Sequence, residues 1–443
     1  MNPALADEDL GTLAEPSQPT FYTYSPQGKM VKVVQGVQTR YFLYDSLGRL
    51  IRVRQPEQEV NAELNLSDPV SGNGQWTAGF TYDIVGNVLT ATDAEGTVIT
   101  NTYDKAGRVG TRTYTHEPTG ITTPAVSFYY DGKGLEEDQS PNFAMGKLTK
   151  VTSSVSETQN TLFDNFGRIT ESKQITDGQT YTSGYEYNLS GALVQETYPS
   201  GRVVKSEFET DGDLMRISGR ANATAPEHTY ANSFSYTVDG KIEKLRLGNG
   251  LWESARFNSR LQVTELALGH SVNESSLWKL GYEYGELNED GEVVNAKNTG
   301  DVARQTLDVP GVTFVQSYGY DPLHRLTSAK EMVGEIESWS QTFGYDRYGN
   351  RTAFAQSISG QRSTSSVPSV DGTTNRFNSD QGFMYDENGN VVADVDSVTN
   401  MARNYIFNGD NKQTDVKDHH GYAIGQYFYD VSDRLKGHSI HDA

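Results

Sequence analysis

The stretch Tyr44-Asp45-Ser46-Leu47-Gly48-Arg49-Leu50 decides how this chain folds. It recurs as Tyr82-Asp83-Ile84-Val85-Gly86-Asn87-Val88 and as Tyr103-Asp104-Lys105-Ala106-Gly107-Arg108-Val109. It returns at Phe163-Asp164 with Gly167, at Tyr345-Asp346 with Gly349, and at Tyr385-Asp386 with Gly389. Looser copies begin at Tyr24, Tyr130, Tyr187, Tyr236, Phe257, Tyr320, Phe407 and Tyr429. Neighbouring copies commonly begin some 20 to 28 residues apart, the length of one supersecondary unit.

Each copy has a physical reading. Alternating runs rich in Tyr, Thr and Val flank it, such as Phe42 and Tyr44 before the turn and Leu50 after it. That period of two marks a strand. Asp at the head of a type I turn can accept hydrogen bonds from the backbone just downstream, and Gly at its end tolerates the left-handed conformation that returns the chain as a bulged hairpin. Tyr therefore ends one strand, an aliphatic residue starts the next, and the two can pair across the turn. One hairpin is not stable alone in water, but many side by side make a sheet. Apolar residues nowhere keep helical spacing over three turns. The expectation is an all-β chain, repeated β-hairpins along one long antiparallel sheet.

Composition alone gives a different signal. The chain has 443 residues, a formal charge of −21 and only 35% hydrophobic residues, which borders on the disordered class. Yet it carries 26 Tyr and 43 Gly. In a thin hairpin sheet the tyrosines supply buried area and the glycines close turns, which reconciles the two. No run approaches the ~20 apolar residues of a membrane-spanning helix. The acidic surplus argues against nucleic acid as a partner, because phosphate needs clustered Lys and Arg. With no Cys there are no disulfides, thiolate nucleophiles or cysteine metal sites. Residues 1–20 read as a disordered acidic leader, 21–435 as the repeat region and 436–443 as a tail. Three stretches break the rhythm and are expected as long loops: 55–78, 285–311 and 357–379.

The repeated unit resembles the YD repeat of Rhs proteins, of the C components of bacterial insecticidal toxin complexes, and of animal teneurins. The similarity covers residues 21–435. Tyr198-Pro199-Ser200-Gly201-Arg202-Val203 and Gly425-Gln426-Tyr427-Phe428-Tyr429-Asp430 also look like segments of that family. The resemblance implies a β-ribbon that spirals into a hollow shell, here a partial one, around a toxic C-terminal domain. That domain is commonly released by self-cleavage at Asp-Pro-x-Gly. Asp68-Pro69 and Asp321-Pro322-Leu323-His324 do not fit that motif. The implied function is a non-enzymatic scaffold, secreted or on the cell surface, that encloses or presents another polypeptide or flanking domains of a longer protein. The alternative is a recognition module binding glycan or a partner protein.

No catalytic, cofactor or metal residues emerge. Gly-x-Ser-x-Gly, the phosphate-binding Gly-x-x-x-x-Gly-Lys-Ser/Thr and His-Glu-x-x-His are all missing. The histidines read as loop residues, and the adjacent pair His419-His420, were it in a strand, would face opposite ways and could not share an ion. Asp386-Glu387-Asn388-Gly389-Asn390 has the oxygens of a calcium loop without its bidentate Glu, so turn chemistry is the simpler reading. Tyr repeats at one position, which argues for burial between hairpins over sugar stacking. Trp76, Trp252, Trp278 and Trp339 lie outside the motif and are the candidate ligand-binding residues.

Overall fold

The computed structural model describes residues 19–135, 143–272, 274–363, 367–395, 401–429 and 435–440. Among the described residues there is no α-helix; the elements are strands joined by turns and a few short 3-10 segments. Residues 1–18 of the expected leader and 441–443 of the expected tail lie outside the described residues. Twenty-seven strands, Thr20–Tyr24 to Gln361–Ser363, belong to one antiparallel sheet. Strands pair in sequence order without crossover, as in Gln38–Tyr44 with Leu50–Arg54 and Ala78–Tyr82 with Val88–Thr92.

The turn chemistry sets the register. Tyr44 pairs with Leu50, Tyr82 with Val88, Tyr103 with Val109, Phe163 with Ile169 and Tyr385 with Val391, each at a bulge just before the aromatic residue. Gly48 N donates to Asp45 O at 2.9 Å and Asp45 N donates to Arg49 O at 2.9 Å. Asp45 Oδ1 accepts from Leu47 N at 3.0 Å and from Arg49 N at 2.9 Å. Gly48 is left-handed at φ 75°, as the bulged hairpin requires. One extra residue at each turn increases the local right-handed twist, and the repeat imposes it copy after copy.

The chain divides into two compact units, residues 1–182 with 368–443, and residues 183–367. In the first, hairpins run from Thr20–Tyr24 to Ile169–Thr176, and the last six strands, Met384–Tyr385 to Leu435–Ile440, form a sheet of their own. Residues 435–440 pair with Ala423–Tyr429, so the stretch expected as a tail contributes a strand. The second unit is a hairpin meander into which a small hairpin, Glu286–Leu287 with Val293–Val294, is inserted. That hairpin and the strand Val302–Val309 take up most of the expected 285–311 loop. The 357–379 stretch likewise contains the strands Gln361–Ser363, Val370–Asp371 and Arg376–Phe377. Continuous backbone pairing wins over Ser- and Asn-rich composition in both places.

The 55–78 segment is a packed loop. Trp76 is fully buried in it, and its Nε1 donates to Leu66 O at 2.8 Å. Asp68 is buried and caps Val70 N and Ser71 N, which makes Asp68-Pro69 a turn. Elsewhere large aliphatic core residues are few. The most buried positions include Thr77, Thr97, Thr149, Ser218 and Ala303, while whole strands such as Ile169–Thr176 are half-buried on both faces. A sheet covered lightly on both faces needs small residues and amphipathic tyrosines more than a Leu-rich core.

Candidate functional site

The repeated residues assemble into a ladder. The Tyr82 hydroxyl donates to Leu50 O at 2.6 Å, the first residue after the preceding turn. Tyr103 reaches Val88 O at 2.7 Å, Tyr236 reaches Leu214 O at 2.7 Å, and Tyr345 reaches Leu326 O at 2.9 Å. Each tyrosine thus ties its hairpin to the one before. Burial pushes the phenols of Tyr82, Tyr236 and Tyr320 upward, so they stay protonated donors.

The residue after the turn glycine adds a second tie. Arg49 Nε donates to Asp45 Oδ2 at 2.7 Å, its Nη1 reaches Asp83 O at 3.1 Å in the next copy, and its guanidinium lies 4.8 Å over the Tyr82 ring. Arg325 does the same to Asp346 O at 2.7 Å and over Tyr345 at 4.9 Å. Arg108 grips Asp131 through two hydrogen bonds of 3.0 and 2.7 Å, and the pair holds the Asp131 carboxyl down at about 2. Where the position is Asn, as at Asn87, Asn350 and Asn390, the amide returns to its own turn aspartate at 2.7 to 2.9 Å. Arg49, Arg108 and Arg325 thus hold their own turn and a neighbour, while Asn87 turns back on its own aspartate and Asn390 also reaches Asn411 Oδ1 at 3.0 Å.

His324 stands where most copies have Gly, left-handed at φ 60°, with Nδ1 2.6 Å from Asp301 Oδ2. The Asp321-Pro322 pair is therefore an ordinary repeat turn, with Asp321 Oδ1 accepting from Arg325 N at 3.0 Å.

A different kind of cluster lies within the first unit, where the turn Asp386–Gly389 docks on loops some three hundred residues earlier in sequence. Asn388 is buried. Its Oδ1 accepts from Ala94 N at 3.0 Å, and its Nδ2 donates to Asp93 Oδ2 at 2.7 Å and Asn411 Oδ1 at 2.9 Å. Alongside, Glu59 N donates to Glu387 O at 2.8 Å and Arg376 Nε to Glu57 O at 2.9 Å. The Tyr114 hydroxyl donates to Asp410 Oδ2 at 2.8 Å, and burial together with that carboxylate pushes the phenol far up. Glu95 is the electrostatic outlier: burial, then Asp386, Asp93 and Glu387, push its carboxyl up to about 7. Nothing in the sequence marked this seam. Asn388 occupies a turn position that elsewhere points to solvent, as Leu47 and Val85 do.

The candidate tryptophans do not converge. Trp76 is buried, because its indole fills the 55–78 loop, so it is withdrawn as a ligand residue. Trp252, Trp278 and Trp339 are half-buried in strands of the second unit. Trp252 pairs with Gly269 and Trp278 with Leu268, so these two stand on opposite faces of the sheet. His419 and His420 sit in a turn, with ring centroids 3.8 Å apart. Asp386 spends its carboxylate on Asn390 N and Nδ2, as the turn reading requires. Among the described residues no group of three or more His, Asp or Glu could hold a metal ion. A shallow cavity of about 370 Å³ between Ser153–Glu157, Ile175–Gly178 and Phe428 offers only Glu157, paired with Lys150, and Asp177 as ionisable groups.

No family model and no curated protein sequence matches the chain. Solved structures do. A Photorhabdus luminescens Tc holotoxin pore matches 94% of this chain with a TM-score of 0.73 at 15% identity. The chain has the YD-repeat fold of the toxin complexes. TcdB2-TccC3 without its hypervariable C-terminal region matches with a TM-score of 0.74, and TcdB2-TccC3-Cdc42 with 0.73, each over 94% of this chain. The chain spans 21% to 22% of the length of those chains. The family resemblance read from the Tyr-Asp-x-x-Gly copies holds at the level of fold. No helix among the described residues is long and apolar enough to cross a membrane.

Proposed function

We propose that the chain is a non-enzymatic segment of a secreted YD-repeat shell that encloses or presents another polypeptide. The observation that carries this reading is the ladder itself. It spends the repeated Tyr, Asp, Gly and Arg residues on joining hairpins, in a chain whose fold matches TcdB2-TccC3 over nearly its whole length. The two carboxylate-rich places, the turns and the seam, are likewise occupied by hydrogen bonds that hold backbone together. Glycan recognition has less support, since Trp76 is buried and Trp252 and Trp278 face opposite ways. Electron microscopy of the natural full-length product is expected to show a hollow particle; a compact solid one overturns the reading.

A further inference from the structure

Asn-Gly pairs occur four times, at Asn73-Gly74, Asn249-Gly250, Asn388-Gly389 and Asn408-Gly409. Three of them use their glycine for structure. Gly250 and Gly389 are left-handed at φ 90° and 89°, a conformation that glycine adopts without strain. A Cβ at Gly389 would lie 2.6 Å from Glu57 O, and one at Gly409 2.9 Å from Glu117 Oε1. Their amides are spent too. Gly250 N donates to Leu247 O at 2.8 Å, Gly389 N to Asp386 O at 3.1 Å and Gly409 N to Thr123 Oγ1 at 2.6 Å. Gly74 differs on each count. Its φ is outside the left-handed region, a Cβ there would meet nothing within 4 Å, and among the described residues its N–H donates to no group. The side chain before it is bent toward the backbone that follows: Asn73 Oδ1 accepts from Gln75 N at 3.4 Å and Nδ2 donates to Gln75 O at 2.7 Å. Gly72 and Gln75 are exposed, so water reaches this bend.

We propose that Asn73-Gly74 is a self-modification site, at which the chain converts its own asparagine to aspartate and isoaspartate. The Gly74 N–H gives its proton to hydroxide, and the nitrogen attacks Cγ of Asn73. The Cγ–Nδ2 bond breaks, and the side-chain nitrogen leaves as ammonia after taking a proton from water. A cyclic imide remains. Water then adds to one of its two carbonyl carbons and the C–N bond at that carbon breaks, which leaves aspartate or isoaspartate. Glycine as the following residue offers the least crowded nucleophile, and the hydrogen bond from Gln75 N polarises the carbonyl under attack. Isoaspartate carries the backbone through the former side chain, one methylene longer. Two bonds that close the 55–78 loop flank the change, Asp68 N to Asn73 O at 2.7 Å and Leu66 N to Gly74 O at 3.1 Å. The buried Trp76 bonds to Leu66 O, so the conversion acts on the plug of that loop. None of this depends on the scaffold reading.

The full chain is aged in mildly alkaline buffer and mapped by peptide mass spectrometry with isoaspartate detection. Asn73 is expected to convert first, roughly tenfold faster than the exposed Asn249, whose Gly250 N–H must first leave Leu247 O. Unfolding in urea is expected to bring the four pairs to similar rates. Gly74→Ala, for which the loop has room, is expected to suppress conversion at Asn73 and leave Asn249 unchanged. Circular dichroism checks that this variant keeps its fold. In the aged fraction, hydrogen exchange at Leu66 and Asp68 is expected to quicken; unchanged exchange overturns the effect on the loop. Three results overturn the site itself. One is equal conversion at Asn73 and Asn249 in the folded chain. Another is an Asn73 that stays intact when folded yet reacts in urea. The third is conversion at Asn73 undiminished by Gly74→Ala. A preference for Asn73 that survives in urea overturns the role of the fold and assigns the choice to local sequence.

Discussion

A single hydroxyl accounts for much of what repeats here. Tyr103→Phe removes only the hydroxyl bond to Val88 O, which still accepts from Asn101 Nδ2 at 3.2 Å, so it is expected to cost about 1 kcal/mol at most. Faster hydrogen exchange confined to Val88–Thr92 and Val98–Tyr103 is the measurement, and Tyr422→Phe at an exposed site should show none. Arg108→Lys is a harsher change than its charge suggests, because lysine cannot reproduce the paired bonds to Asp131 or the stack at 4.3 Å over Tyr130. A modest drop in the urea midpoint is expected, because solvent screens the ion pair. Leu261 offers the opposite test. It occupies the glycine position of its turn, left-handed at φ 61° and largely exposed. Leu261→Gly should stabilise by up to about 1 kcal/mol, since relief of left-handed strain exceeds the entropy that glycine adds to the unfolded chain.

At the scale of elements, the seam joins the last six-stranded sheet to the early loops of the same unit through carboxylates that repel each other. Glu95 has its carboxyl raised to about 7 from an ordinary 4.5 by burial and by Asp386, Asp93 and Glu387. The folded state therefore favours the proton. Its contribution is fully present below about pH 4.5 and is lost as pH rises toward 7. Asp93, raised chiefly by burial, acts in the same direction. Glu95→Gln keeps a donor for Glu387 and removes the charge. It is expected to leave thermal stability unchanged near pH 4.5 and to raise it above neutrality by about 1 kcal/mol after solvent screening. An equal effect at both ends of the pH range would show that the seam is insensitive to this charge. Asn388→Leu should loosen the junction at any pH, because Ala94 N and Gln58 Nε2 meet this residue at its side chain and carbonyl, and the former bond disappears.

For the whole chain, the charge of −21 sets the solution behaviour. The positive groups are spent locally, Arg49 and Arg108 on turn aspartates, while the remaining acids repel one another through solvent. Moderate salt is expected to raise the melting temperature by screening that repulsion, since the Debye length shrinks to about 10 Å at 0.1 M. A melting temperature that falls with salt would mean that the arginine ties outweigh the net charge. The same surplus protects long strand edges from indiscriminate pairing.

The hairpin, its register and its repetition were legible from Tyr44 to Leu50 alone, because a turn of Asp and left-handed Gly fixes its strands through bonds between residues four apart. Local chemistry of that kind repeats wherever its letters repeat. The purpose of the tyrosine hydroxyl and of Arg versus Asn after the glycine was out of reach, since each acts on the neighbouring hairpin. The burial of Trp76 and the strands within 357–379 were out of reach for a related reason: composition reports what a segment is made of, not what covers or pairs with it. The seam was wholly invisible. Asn388 carries the same sequence signals as a solvent-facing turn residue, and only the fold, by bringing Asp93 and Ala94 to within hydrogen-bond reach of it, made it a buried junction.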